Sequence, residues 1–92
     1  MNNIRKVNPT VKIDIYLRQE YGEAMLRSSK LKKNKETKKQ GDQLFRYAYR
    51  LQQIAKSAKL VAKEGGEQSL IDFYTDEMAT VVNNIHSFYA EA

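Results

Sequence analysis

Cysteine is absent from the 92 residues. Disulfide staples, thiolate metal sites and a thiol nucleophile are therefore excluded, and the composition fits a reducing, cytoplasmic compartment. His86 is the only histidine, so no second imidazole exists to complete a His-based metal cluster, and a surface position is expected for it. The chain has four glycines and one proline, and it contains no P-loop, no dinucleotide fingerprint and no nucleophile elbow. No enzyme activity, metal or other cofactor is expected. No apolar run approaches the roughly 20 residues a membrane span needs, and the opening "MNNIRKVNPT" lacks the apolar core of a signal peptide. The chain reads as a single small domain, 1–92, with no membrane partner. At this length a monomer is only modestly stable, and oligomerisation is the natural remedy.

Charge is what the chain has in quantity, and it is unevenly placed. Residues 1–50 hold 13 Lys and Arg against 5 acids, whereas residues 51–92 hold 3 against 6. The run "RSSKLKKNKETKKQ" gathers Arg27, Lys30, Lys32, Lys33, Lys35, Lys38 and Lys39 with only Glu36 opposing them. Such a cluster attracts phosphate backbones through counterion release, or an acidic protein surface by steering. It is equally the composition of a solvated linker. Arg5 and Lys6 add a short basic arm over 1–9.

Apolar spacing defines the second half. After Gly41, with Asp42 as N-cap, Leu44, Ala48, Leu51, Ala55, Ala58 and Ala62 recur at steps of four and three, and Tyr47, Leu51, Ile54, Ala58 and Val61 keep the same rhythm. The spacing predicts a helix over 42–64 whose apolar face is wide enough for two neighbours. Gly65 and Gly66 stop it. Ile71, Tyr74, Met78, Val81, Ile85 and Phe88 then form the stripe of a helix over 67–90, which folds back on its predecessor as an antiparallel hairpin. Asp72, Asp76 and Glu77 lie within two turns of this helix and read as its solvated face.

The first third follows a different rhythm. Val11, Ile13, Ile15 and Leu17 are apolar at every second position, with Lys12, Asp14 and Tyr16 between them. Alternation predicts a strand over 10–17 that starts at the Asn8–Pro9 step, then a helix over 18–31 and a basic turn over 32–41. The expected fold class is mainly α: a short N-terminal β-strand and three helices. The alternative is an all-α three-helix bundle.

A lone strand cannot satisfy its own backbone, so residues 10–17 imply a homodimer. The order strand, helix, basic turn, helix resembles the ribbon-helix-helix family of DNA-binding proteins. That resemblance implies a two-stranded ribbon entering the major groove, with Val11, Ile13, Ile15 and Leu17 in the dimer core and Lys12, Asp14 and Tyr16 facing base edges. Asp14 would accept from cytosine N4. The stretch "RLQQIAK", residues 50–56, also resembles the "NLNQIAR" signature of plasmid mobilisation accessory proteins.

Two functional expectations from different classes follow. One is a small dimeric DNA-binding regulator or DNA-processing accessory protein of plasmid or phage type. Its ribbon reads bases, and Arg5, Lys6, Lys32, Lys33, Lys35, Lys38 and Lys39 hold phosphates. The other is a helical-bundle regulator or inhibitor whose basic face docks on an acidic protein partner. Of the six tyrosines, Tyr47 and Tyr74 fall in core stripes, while Tyr16, Tyr49 and Tyr89 are candidates for partner contact.

Overall fold

The computed structural model describes residues 10–91, and every regular element among them is helical. α1 (Val11–Tyr16) passes through a π-turn (Leu17–Tyr21) into α2 (Gly22–Lys32). The backbone stays right-handed helical at Leu17 and at Gly22, so these segments form one rod. A 3-10 turn (Lys35–Thr37) leads into α3 (Lys38–Lys63), and the glycine pair leads from there into α4 (Gln68–Glu91). The central α3 packs against the first rod on one side and α4 on the other, and α1 also touches α4. Arg5, Lys6 and the expected arm over 1–9 lie outside the described residues.

The expected strand over 10–17 is helix instead, which makes the all-α alternative the observed fold class. A lone strand would leave its amides unpaired, whereas the helix pairs them locally, beginning with Asp14 N–H to the Thr10 carbonyl at 2.9 Å. Packing overrides the β-propensity of the branched residues. The helix buries Ile13 fully and half-buries Leu17, and it leaves Val11 and Ile15 exposed. The π-turn holds one residue more than an α-turn and so resets the register of the rod. Below it, Tyr21 and Leu31 pack against the core while Ala24 and Ser28 are buried.

α3 begins at Lys38 rather than Asp42, and Gly41 lies inside it as a packing residue. A Cβ at Gly41 would stand 2.8 Å from Lys32 Cγ, 2.9 Å from Lys32 N and 2.9 Å from the Ser28 carbonyl oxygen. Only glycine lets α2 and α3 approach this closely. The expected α3 stripe is the core: Leu44, Ala48, Leu51, Ile54, Ala55 and Ala58 are buried, facing Ile71, Met78, Val81, Val82 and Ile85 of α4.

α3 ends in a Schellman motif. Gly66 N–H donates to the Val61 carbonyl at 2.8 Å and Gly65 N–H to the Ala62 carbonyl at 3.2 Å, with Gly65 at φ +74°. The chain reverses there, and α4 runs antiparallel to α3 with Glu77 3.6 Å from Arg50.

Candidate functional site

The lysine-rich segment is a built turn between two helices. Asn34 Oδ1 accepts from Glu36 N–H at 3.0 Å, and the Thr37 hydroxyl donates to the Leu31 carbonyl at 2.7 Å. The Ser28 hydroxyl donates to the Gly41 carbonyl at 2.7 Å, tying α2 to α3 just inside the turn. Local polar side chains thus fix a surface that carries Lys30, Lys32, Lys33, Lys35, Lys38 and Lys39 at one end of the bundle.

The electrostatics of the two helix ends differ. Lys30 and Lys32 occupy the last turn of α2, where the helix dipole is negative and cations are favourable. Lys38 and Lys39 occupy the first turn of α3, which holds no acid, and each sits unfavourably at the positive dipole end. The N-cap Thr37 makes no side-chain cap to this helix, because its hydroxyl is used on Leu31. Among the described residues, Lys30, Lys33, Lys35, Lys38 and Lys39 have no carboxylate partner, in contrast to Lys59, which is 2.6 Å from Asp14. Lys32 instead lies over the Phe45 ring, with Nζ 4.1 Å from the centroid.

Phe45 and Tyr49 extend this surface along α3. Both are exposed, their rings stack with centroids 6.3 Å apart, and Gln53 Nε2 donates to the Tyr49 hydroxyl at 3.2 Å. Tyr49 is thus exposed as expected. Phe45 was not singled out by its sequence context, although its four-residue spacing from Tyr49, off the apolar stripe, is the signal that marks it.

Residues expected to read bases together are dispersed by the helix. Lys12 is exposed, Asp14 is committed to Lys59, and Tyr16 is half-buried against the core. A strand would have set the three on one face, while helical geometry turns each roughly 200° from the last. Tyr89 is half-buried, and its hydroxyl has no hydrogen-bond partner among the described residues. Burial pushes its phenol above the ordinary 10.0; the Arg27 charge opposes this, while Glu23 and Glu20 add to it. His86 is exposed as expected, and its Nε2 is 2.7 Å from Glu20 Oε1, linking α4 to the π-turn.

No helix of the described residues is long and apolar enough to cross a membrane, and no group of three or more His, Cys, Asp or Glu is placed among them to hold a metal ion. Comparison with protein-family models, with curated proteins and with solved structures finds no match for the chain.

Proposed function

We propose that this is a small helical DNA-binding protein without catalytic activity, a regulator or DNA-processing accessory factor of plasmid or phage type, acting in the cytoplasm. It holds duplex phosphates on the lysine-studded turn between α2 and α3. The observation that carries this reading is the placement of Lys38 and Lys39 on an N-terminus with no side-chain cap, beside four further lysines lacking a carboxylate partner. Unopposed cations at a positive dipole end destabilise the free protein, and a bound polyanion reverses that cost. The reading needs no β-ribbon. Exposed Val11 and Ile15, one helical turn apart on α1, support a homodimer that doubles the cationic surface.

A second reading is favoured by the exposed apolar residues Leu26, Leu60, Leu70 and Phe73: a regulator that docks on an acidic protein partner. Binding to random duplex DNA across a salt series separates the two. Changing Lys32, Lys33, Lys35 and Lys39 to Gln should weaken every duplex alike and flatten the slope of log affinity against log salt by about one unit for each phosphate no longer neutralised. No measurable affinity for any duplex at about 50 mM salt overturns the DNA reading in favour of the protein partner.

A further inference from the structure

Between α2, α3 and α4 lies a cleft of about 250 Å³ lined by Arg27, Lys30, Leu31, Leu44, Phe88 and Tyr89. Leu31, Leu44 and the two aromatic rings form apolar walls, and Phe88 and Tyr89 meet edge to face at 6.3 Å. Two cations complete the lining. Arg27 is held in place: its Nε donates to Glu23 and its guanidinium lies 4.1 Å above the Tyr89 ring. The Glu23 hydrogen bond raises the Arg27 pKa above its ordinary value, so the group stays charged. Its two terminal nitrogens have no hydrogen-bond partner among the described residues, leaving the fork that matches a carboxylate. Glu23 offsets one of the two positive charges, and Lys30 has no carboxylate partner among the described residues.

Size and charge together select the occupant. A cavity of roughly 150 Å³ holds a benzene ring, whereas drug-sized pockets begin near 300 Å³. A cleft of about 250 Å³ fits a body of one or two rings. We infer that this cleft binds a small aromatic carboxylate, with its rings against Leu31, Leu44 and Phe88 and its charge on Arg27 and Lys30. The site goes beyond the polyanion reading, because its ligand is a single small anion and its walls are apolar.

The probe is 1-naphthoate, titrated into the full chain without nucleic acid and followed by calorimetry and by side-chain NMR shifts. Saturable one-to-one binding is expected at submillimolar concentration, with shifts centred on Leu31, Leu44 and Phe88. Arg27→Gln and Lys30→Gln should each weaken it about tenfold, as should replacing the acid by neutral 1-naphthalenemethanol, this being the scale of one charge-assisted hydrogen bond. Lys33→Gln and Lys35→Gln, which lie off the cleft, should leave naphthoate affinity unchanged while lowering any duplex affinity. That separates failure here from failure of the DNA reading. Circular dichroism confirms that each variant is folded, and the exposed Lys30 provides a substitution independent of the Arg27–Glu23 pair. Absence of saturation, shifts centred elsewhere, or unchanged affinity in both cation variants overturns the assignment.

Discussion

The Ser28 hydroxyl donates to the Gly41 carbonyl where α2 closely approaches α3, and both residues are buried. A glycine and a small hydroxyl are what this approach of α2 to α3 requires. Gly41→Ala gains about 1 kcal/mol of helix propensity but drives a Cβ into backbone atoms of Ser28 and Lys32 that cannot move aside. Overpacking should win, with a net loss of about 1–3 kcal/mol in urea denaturation. Ser28→Ala should cost about 1 kcal/mol, the worth of one hydrogen bond.

Gly65 provides a second backbone test. Its φ of +74° is a left-handed conformation, and nothing stands within 4 Å of a Cβ built there. Gly65→Ala should therefore act through conformation alone, lowering stability by about 1–2 kcal/mol with no change in the core. A thermal melt unchanged by the substitution would contradict the Schellman geometry.

Tyr89 should be more useful to the fold as phenylalanine. Its buried hydroxyl has no partner among the described residues, so Tyr89→Phe should stabilise the protein by about 1 kcal/mol near neutral pH. The alkaline branch has a definite sign. Burial holds the folded phenol neutral above 10.0, while the unfolded chain ionises there. This contribution to wild-type stability is complete below pH 10 and is lost as pH rises through the elevated folded value. The advantage of Tyr89→Phe should widen above pH 10 in paired denaturation curves, and absorbance titration should show one late tyrosine that the variant lacks.

The aromatic pair on α3 separates stacking from phosphate binding. Phe45 and Tyr49 are exposed, so Tyr49→Ala should leave stability nearly unchanged. If unpaired bases stack on this pair beside Lys32, the substitution should cost about 1–3 kcal/mol toward a single-stranded oligonucleotide and little toward a duplex. Equal losses on both would assign Tyr49 to general packing of the interface.

Dimerisation requires a variant that spares the core. Ile13 is fully buried within its own chain, so Ile13→Asp unfolds the protein whatever its stoichiometry. Val11→Ser combined with Ile15→Ser alters only exposed positions of α1. Sedimentation should show the wild-type mass halve in this variant while the helical signal persists; a wild-type mass of one chain at micromolar concentration would refute the dimer.

The helical hairpin was legible because α3 and α4 each place one continuous stripe on a single face, and glycines punctuate the turn between them. Val82 is buried although it flanks that stripe, and burial at such flanks depends on where the neighbour lies. The first rod was harder for a specific reason. Val11, Ile13, Ile15 and Leu17 satisfy alternation, while Ile13, Leu17 and Tyr21 satisfy a helix whose later register is reset by the π-turn. No single period describes both halves of that rod, and strand pairing is a property of a second chain. The lysine cluster could be read from composition alone. Its tie through Ser28 to Gly41 could not, because that hydrogen bond depends on how closely α2 and α3 meet.

The lysines crowd the end of the bundle where α2 meets α3, whereas the opposite end carries a mixture that includes Lys59, Lys63, Glu64, Glu67 and Asp72. The molecule therefore has a lengthwise electric polarity and experiences a torque in the field of a polyanion. It would approach with its cationic tip leading and turn the glycine hairpin outward. Leu60 in the last turn of α3, with Leu70 and Phe73 at the start of α4, would then face away from the polyanion as an exposed apolar tip. One short bundle would thereby hold a polyanion at one end while keeping the other end open to a second protein.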